Sequence, residues 1–220
     1  MTGLIELDPP GDCPGTPRLY QAGGKRLLDI ALSIAMAPFF AAALIPVLAL
    51  AASDGASPVF SQQRVGKNGR TFRVLKVRTM VSDAEARLAE HLAADPAAAL
   101  EWKVSRKLRR DPRITRFGRF LRSTSLDELP QIWNVLRGDM SWVGPRPVVA
   151  DELANYGPFA AVYLSLRPGI TGPWQVSGRN AETYEDRVAM DVRYAADYSP
   201  AMDMKIILKT VLVVIRKTGL

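Results

Sequence analysis

The chain has 220 residues and a formal net charge of +7, with 29 Lys and Arg against 22 Asp and Glu. The length fits one domain, and the charge predicts an anionic partner such as a phosphorylated substrate, phospholipid headgroups or nucleic acid. The single cysteine, Cys13, excludes an internal disulfide, and the single histidine, His91, argues against a histidine-built zinc site or a Ser-His-Asp triad. Chemistry must therefore rest on carboxylates, Arg, Lys and hydroxyls.

A long apolar segment follows the N-terminal tail. Residues 1–24 are rich in Gly and Pro and are predicted to form a mobile tail. Residues 30–53 then form an uncharged run of 24 residues. As a helix at about 1.5 Å per residue this run would extend roughly 36 Å, enough to cross the roughly 30 Å hydrocarbon core of a bilayer.

The charges on both sides of this run argue against a simple crossing. The cations before it are Arg18, Lys25 and Arg26, and those after it are Arg64, Lys67 and Arg70. Because cytoplasmic flanks are enriched in Lys and Arg, both ends are predicted to be cytoplasmic. A helix that enters one leaflet, bends at Pro38 or Pro46 and returns meets this requirement. A straight transmembrane anchor and a cleaved signal peptide are the alternatives, and the long charged and apolar regions disfavour the second.

Three regular elements are predicted between the apolar run and residue 110. They are a β-hairpin over 59–80 with its turn at 67–69, a helix over 82–92 with Ser82 as N-cap, and a helix after Pro96 within 95–110. The turn sequence Lys-Asn-Gly between two β-rich runs favours the hairpin. The pattern Ser-x-x-Glu favours the first helix start, and proline in the first turn favours the second.

A basic segment then leads into two adjacent carboxylates. Nine Lys or Arg lie within residues 103–122, and Asp127 and Glu128 follow. An acidic pair in such a setting suggests a phosphate site that also needs a carboxylate, as metal ligand or as nucleophile. A salt-bridged helix start on a solvated surface is the alternative interpretation.

Pro130 constrains where the next helix begins. With Ser125 as N-cap, Pro130 would be the fifth helical residue and would remove a hydrogen bond of the helix. A start at Asp127 places Pro130 in the first turn instead, where a missing N–H costs little. Either start leaves the acidic pair at the positive end of the helix dipole, where phosphates also bind.

The C-terminal third contains two loops and two helices in our interpretation. The sequence Gly-Pro-Arg-Pro at 144–147 is too rigid for a helix and fixes the direction of Arg146, for which a structural role and phosphate binding both stay open at this point. Residues 174–180 are interpreted as a loop that projects Arg179. The next helix is predicted to carry Asp186, Arg187 and Asp191 as surface ion pairs.

The last apolar stretch, residues 204–215, is predicted to be helical. At 100° per residue, Lys205, Lys209 and Arg216 fall within about 40° of each other, and most other positions are apolar. This pattern suits an amphipathic helix in the membrane plane with its cations near lipid phosphates. A core helix with a solvated stripe is the alternative.

Several motifs in this order resemble one protein family. They are residues 25–29, 63–66, 76–80, 111–116, 125–147 and 167–172. Together they resemble the bacterial polyprenyl-phosphate sugar-1-phosphate transferases, the monotopic phosphoglycosyl transferases that begin exopolysaccharide and O-antigen synthesis. The resemblance extends from residue 25 to about residue 220. Residues 142–149 and 174–180 are most similar to the galactose-1-phosphate transferases of exopolysaccharide pathways.

These patterns and the resemblance together predict an α+β, mainly helical, monotopic membrane protein. Its predicted parts are a flexible tail over 1–24, a re-entrant membrane helix over 25–54, and a cytoplasmic catalytic domain over 55–220. The last part would contain the β-hairpin and amphipathic interfacial helices. The predicted location is the cytoplasmic face of the bacterial inner membrane, in contact with phospholipid.

The resemblance also implies a reaction. A sugar-1-phosphate, galactose first and glucose second, would pass from a UDP-sugar to undecaprenyl phosphate with release of UMP. Asp127 resembles the family nucleophile, which forms a covalent aspartyl-phosphosugar. Glu128 and Asp127 would hold Mg²⁺, with Mn²⁺ as the second choice.

Five cations are candidates to bind the donor phosphates. Arg122 and Arg146 are predicted to clamp the diphosphate. Lys76 and Arg78 either contact the donor phosphates or close the hairpin against the core. Arg179 is the fifth candidate.

Two other classes of protein fit parts of the sequence. A membrane-tethered nucleic-acid-binding protein would use the arginine run with Trp102, Phe117 and Phe120 between its cations. The acidic pair and Asp139 would repel a nucleic-acid backbone, so no nucleic-acid partner is expected. A noncatalytic scaffold of a polysaccharide complex is the other class. Homo-oligomer formation and the downstream polysaccharide are left open.

Overall fold

A computed structural model describes residues 19–105, 107–177 and 183–215. Of the tail predicted over residues 1–24, residues 1–18 lie outside these ranges, as does Arg179. The end of the predicted tail is wrong, because Tyr20 is 5% exposed and its hydroxyl donates to Asp203 at 2.6 Å. The helices are α1 (Lys25–Ala51), α2 (Ala84–Ala94), α3 (Pro96–Ser105), α4 (Arg116–Ser123), α5 (Gln131–Arg137), α6 (Ala150–Leu153), α7 (Ala160–Ser165), α8 (Pro173–Ser177), α9 (Tyr184–Asp197) and α10 (Pro200–Ile215). The strands are β1 (Val59–Val65), β2 (Thr71–Val77), β3 (Ser141–Val143) and β4 (Gly169–Thr171). The mainly helical α+β class is confirmed.

The predicted hairpin is confirmed. Strand β1 pairs antiparallel with β2, and Val59 lies opposite Val77 in its register. The turn at Lys67–Gly69 holds Asn68 at φ 57° and Gly69 at φ 75°. Asn and Gly tolerate this left-handed backbone better than other residues, which is why the Asn-Gly sequence forms the turn. A second sheet pairs β3 with β4 in parallel.

Several predicted helix limits are wrong. Helix α2 begins at Ala84, so Ser82 is not its N-cap. The helix expected at Asp127 begins at Gln131, since Pro130 has no N–H with which to continue the hydrogen-bond pattern between the two segments. The loop expected over 174–180 begins as a short helix, α8, because Pro173 at the first helical position is preorganised for helix.

Helix α1 is one uninterrupted α-helix of 27 residues that includes Pro38 and Pro46. The segment Tyr20–Ala51 is long and apolar enough to cross a membrane by length and composition, and 11% of its most apolar window is buried. Its exposed large apolar side chains are Leu27, Ile34, Phe39, Ile45 and Leu50. Which proline produces the predicted bend stays a prediction.

Both ends of α1 contact the same folded domain. Near its start, Arg26 donates to the carbonyl oxygens of Val135 and Leu136 at 2.5 and 2.9 Å. At its end, Ala51 packs in a buried cluster, and its carbonyl oxygen accepts a hydrogen bond from Arg78 at 2.5 Å. A helix of this length extends about 40 Å, so α1 lies along the domain with one face exposed.

Polar groups buried in α1 join it to β3. Asp29 is 3% exposed, and its Oδ1 accepts hydrogen bonds from Ser141 Oγ at 2.9 Å and from the backbone N–H of Trp142 at 3.0 Å. The indole N–H of Trp142 donates to Ser33 Oγ at 2.9 Å. These bonds satisfy polar groups that would otherwise be buried without partners, and they determine which face of α1 contacts the domain.

A second polar cluster joins the start of α1 to the C-terminal helices through hydrogen bonds. Asp203 of α10 is 2% exposed and accepts hydrogen bonds from Tyr20, Tyr194 and Lys25. Helix α10 therefore packs against the domain through Asp203, while Met204, Leu208, Val211 and Leu212 stay exposed. The buried Asp203 and the exposed apolar stripe together make α10 amphipathic.

The contacts at both ends of α1 predict that residues before and after it lie on one side of the membrane. In a Cys13→Ser background, we expect Gln21→Cys and Ser61→Cys both to be protected from a membrane-impermeant maleimide in intact cells. Both sites are exposed in the folded chain, so both should label after permeabilisation. Labelling of Gln21→Cys from outside, with Ser61→Cys protected, would show instead that α1 spans the bilayer.

Candidate functional site

The acidic pair lies on a single turn between α4 and α5. Residues Leu126–Glu128 form this 3₁₀ turn, which follows Ser125 in a left-handed conformation at φ 57°. Such a backbone is unfavourable for serine by roughly 1–2 kcal/mol. The turn directs Asp127 inward, where it is 7% exposed, whereas the Glu128 side chain is 32% exposed. The two carboxylates thus have different surroundings although they are adjacent in sequence.

Lys76, near the end of β2, brings a cation to both carboxylates. Its Nζ lies 2.6 Å from Glu128 Oε1 and 3.7 Å from Asp127 Oδ2. The hairpin determines this position, because strand alternation directs Lys76 to one face and the buried Val77 to the other. Lys76 therefore faces the acidic pair, and its contact with donor phosphates stays a prediction.

Arg122 approaches the pair from α4. Its Nε donates to Thr79 Oγ1 at 2.9 Å. The negative charge of Asp127 attracts the positive charge of the guanidinium. Burial lowers the pKa of Arg122, and the negative charges of Asp127 and Asp111 oppose that shift.

The close approach of α4 to the segment after β2 depends on Gly118. A Cβ atom at this position would lie 2.0 Å from the carbonyl oxygen of Thr79. Thr115 adds the N-cap of α4, since its Oγ1 accepts from the Gly118 N–H at 2.8 Å. Sequence reasoning noticed the arginines of this segment but not that Gly118 positions Arg122.

The surroundings of Asp127 raise its pKa above the ordinary value for aspartate. Burial is the main cause, and the negative charge of Glu128 adds to it. Lys76 and Arg122 act in the opposite direction. A carboxylate in a poorly solvated site beside two cations is less hydrated than one in water, which favours its use as a nucleophile or as a metal ligand.

The structure places Arg78 elsewhere. Its guanidinium donates to the carbonyl oxygen of Ala51 and to the carboxylate of Asp54. Arg78 therefore caps the C-terminal end of α1, where a cation is favoured by the helix dipole. Of its two predicted roles, these contacts support the structural one.

Arg146 lies in a different cluster from the acidic pair. Its Cζ is 5.8 Å from the ring centroid of Trp174, and Arg187 stacks on the same ring at 5.2 Å. In the described part of the chain, no hydrogen bond or ion pair joins Arg146 to Asp127 or Glu128. The predicted clamping of the donor diphosphate by Arg122 and Arg146 stays a prediction.

The surface ion pairs expected on α9 are wrong for two of three residues. Arg187 is 5% exposed and Asp191 is 2% exposed. Arg187 pairs with Glu152 at 3.1 Å, and Asp191 accepts a hydrogen bond from Tyr156 at 2.8 Å. Burial raises the pKa of Asp191 to about 6. Spacings of three and four from Tyr184 through Arg187 to Asp191 are the helical signal that could have revealed this inward face.

The family is shown by comparison with known proteins. A family model described as bacterial sugar transferase matches residues 20–217. The chain belongs to this family. The resemblance found in the sequence motifs is thereby confirmed.

Relatives of this bacterial sugar transferase have names from exopolysaccharide and lipid-carrier chemistry. The undecaprenyl-phosphate galactose phosphotransferase of Salmonella typhimurium is 46% identical over 89% of this chain and 41% of its own length. The exopolysaccharide production protein ExoY of Sinorhizobium fredii is 46% identical over 85% of this chain and 83% of its own. The UDP-glucose:undecaprenyl-phosphate glucose-1-phosphate transferase of Caulobacter vibrioides is 37% identical over 96% and 75%. The chain spans about two fifths of the Salmonella relative and of its Erwinia amylovora counterpart.

The donor set at the acidic pair limits the kind of metal site. Within the described ranges, no three or more His, Cys, Asp or Glu side chains come together. Asp127 and Glu128 offer only carboxylate oxygens, which suit Mg²⁺ because that ion commonly takes one or two carboxylates and completes its shell with water and substrate phosphates. A zinc site would need more nitrogen or sulfur ligands.

The raised pKa of Asp127 predicts that Asp127→Asn stabilises the fold at neutral pH. Folding favours the protonated carboxyl of Asp127. The wild type is therefore more stable at low pH, and it loses this stability as the pH rises through the folded pKa and the buried carboxyl ionises. Asparagine stays neutral. We expect Asp127→Asn to have the higher Tm at pH 8 and the difference to disappear near pH 4, in thermal unfolding of detergent-solubilised protein. The exposed control Asp151→Asn should not show this gain, and an Asp127→Asn Tm below that of wild type at pH 8 would contradict the burial argument.

Proposed function

We propose that this sugar transferase transfers a sugar-1-phosphate from a UDP-sugar to undecaprenyl phosphate and releases UMP. The observation that carries the proposal is the buried Asp127 next to Glu128, with Lys76 within 3.7 Å of both carboxylates. The names of the relatives support the acceptor and the donor class. Galactose is the first candidate sugar, because relatives named for galactose share more identity with this chain than the one named for glucose.

In the proposed first half-reaction, Asp127 acts as the nucleophile. One of its carboxylate oxygens attacks the sugar-bearing phosphorus of the UDP-sugar. The bond from that phosphorus to the bridging oxygen breaks, and UMP leaves with the bridging oxygen. The sugar phosphate is then bound covalently to Asp127 as an acyl phosphate.

In the second half-reaction, the acceptor takes over the sugar phosphate. A phosphate oxygen of undecaprenyl phosphate attacks the same phosphorus, and the bond to Asp127 breaks. The products are the lipid-linked diphosphosugar and the free carboxylate, so the enzyme is regenerated without a redox step.

Charge repulsion opposes the first attack, and the cations around Asp127 offset it. A carboxylate about 4 Å from a phosphate charge is repelled by roughly 4 kcal/mol at an effective dielectric constant near 20. The positive charges of Lys76 and Arg122 both stabilise the ionised form of Asp127 in the folded chain. Arg122 also presents a planar guanidinium that suits two phosphate oxygens.

Asp127 and Glu128 fit a magnesium ion. The Nζ of Lys76 already lies between the two carboxylates, so a cation is accommodated where their negative charges meet. When bound, Mg²⁺ would supply Lewis-acid stabilisation of phosphate charge. Glu128, the more exposed of the two, would hold the ion while Asp127 faces the reacting phosphorus.

The membrane arrangement that we propose brings this site to the lipid surface. Helices α1 and α10 both expose apolar stripes, while both ends of α1 contact the domain. Lys205 and Lys209 are exposed beside the stripe of α10, in reach of lipid phosphates. Together these features support a monotopic protein at the cytoplasmic face of the inner membrane, where a soluble nucleotide sugar can meet a lipid-bound acceptor.

The covalent mechanism predicts a reaction without acceptor. Wild type should exchange labelled UMP into UDP-galactose and gain the mass of a sugar phosphate on the peptide containing Asp127. Asp127→Asn should lose both signals because it has no nucleophilic carboxylate. The matched variant Glu128→Gln should be slower but still form the adduct. Normal turnover with neither exchange nor adduct would establish direct transfer, and a panel of UDP-sugars in the same assay would identify the sugar.

The carboxylate donor set predicts dependence on a divalent cation. UMP release should cease in EDTA and return when Mg²⁺ is added. Mn²⁺, the second choice, should also restore it, since both are hard ions. Glu128→Gln should need a higher Mg²⁺ concentration for half-maximal rate, while the exposed control Glu85→Gln should match wild type. Full turnover in chelator would contradict the metal-assisted proposal.

A further inference from the structure

A basic cleft lies at the opposite end of α5 from the acidic pair. This cleft of about 440 Å³ opens where the turn between β1 and β2 meets the end of α5. Its cationic lining residues are Arg26, Lys67, Arg70, Arg137 and Arg167. Thr71 lines the cleft, and Lys76, at the acidic pair, is five residues further along β2. At about 3.3 Å per residue they are roughly 16 Å apart, so the two sites are separate.

Two of the five cations are held in place by α5 itself. Arg26 donates to the carbonyl oxygens of Val135 and Leu136, and Arg167 Nε donates to that of Gly138 at 2.9 Å. These carbonyls end the helix and carry its partial negative charge. The two guanidiniums are therefore already positioned at the cleft.

The other three cations have little charge compensation. Within the described residues, Lys67 and Arg70 form no ion pair. Arg137 Nε lies 3.5 Å from Asp139 Oδ2, and the Arg137 side chain is 61% exposed, so this contact is weak. Asp139 is the only carboxylate among the residues that line the cleft. The lining thus has an excess of four positive charges.

Guanidinium and ammonium groups gathered in a concave site recognise phosphate oxygens. The volume is within the range of small-molecule sites and exceeds that of a single phosphate ion. Leu27, next to Arg26 on α1, is 71% exposed, so the cleft adjoins the apolar face of that helix. We propose that this basic cleft binds a phosphate group, and its apolar border favours a phospholipid headgroup over a free phosphate as the source.

The test uses variants that leave α5 intact. Lys67→Glu with Arg70→Glu reverses two exposed charges on the hairpin turn. The matched control, Lys103→Glu with Arg193→Glu, makes the same change in charge at exposed positions on α3 and α9. Arg26 and Arg167 are kept because they bind the end of α5. Lys67→Ala with Arg70→Ala replaces the first variant if that one loses cooperative unfolding.

Binding is measured by hydrogen–deuterium exchange on the full chain in a zwitterionic detergent, without UDP-sugar. The probes are a soluble short-chain phosphatidylglycerol and inorganic pyrophosphate. We expect the lipid to protect peptides covering 66–72 and 136–140 from exchange, and this protection should saturate as the lipid concentration increases. The hairpin variant should bind at least roughly tenfold more weakly, since it loses two charged hydrogen-bond donors and gains two carboxylates that repel phosphate. The control should match wild type.

The outcomes separate the two phosphate sources from no site at all. Protection by the lipid that the hairpin variant weakens supports the headgroup. Protection by pyrophosphate alone, weakened in the same way, supports a phosphate site but overturns the lipid source. No protection at these peptides, or equal protection in wild type and the hairpin variant, overturns the proposal. Because no substrate is present, the result does not depend on the transferase reaction.

Discussion

The burial of Asp127 is the constraint on which the site depends. A carboxylate that is 7% exposed loses most of its hydration, and an unpaired charge in such a place would be strongly destabilising. Lys76 on the hairpin and Arg122 on α4 lie close enough to offset that cost. Each arrives from a separate element, and α4 can approach only because Gly118 leaves room for the Thr79 backbone. The compensation is incomplete, since the pKa of Asp127 is still raised.

Helix α1 shows the same dependence on paired polar groups. An apolar helix alone would have no preferred face toward the domain, but Asp29 is buried against Ser141 and Trp142 and defines one. Arg78 binds the last turn of the helix, so both of its ends are fixed to the domain that carries the acidic pair. In the proposed membrane arrangement, this attachment determines how far the site lies from the lipid headgroups. A change in the α1 contacts should therefore alter access to the lipid acceptor as well as stability.

Helix α5 lies between two charged sites of opposite character. Its start follows the acidic pair, where the proposed chemistry needs a carboxylate among cations. Its end carries carbonyl oxygens that accept hydrogen bonds from Arg26 and Arg167, and these contacts help to build the basic cleft. The helix is only seven residues long. In the proposed arrangement, a phosphate group bound in the basic cleft would be close enough to the acidic pair to orient the catalytic site on a membrane. It would not compete for the catalytic residues, because it binds at the other end of the helix.

Local patterns were sufficient where neighbouring residues decide the outcome. The Asn-Gly turn specifies the hairpin because few residues tolerate its backbone, and the apolar run indicates the long helix because charges are absent over many turns. The acidic pair and its family could likewise be inferred from motifs. Local patterns were insufficient for Arg146 and Arg187, whose partners come from distant segments: the ring of Trp174 and the carboxylate of Glu152. Sequence alone therefore determined the hairpin, the long apolar helix, the family and the reactive residue types. Only tertiary structure decided which cations surround Asp127, because electrostatic partners depend on distance in space and not on spacing along the chain.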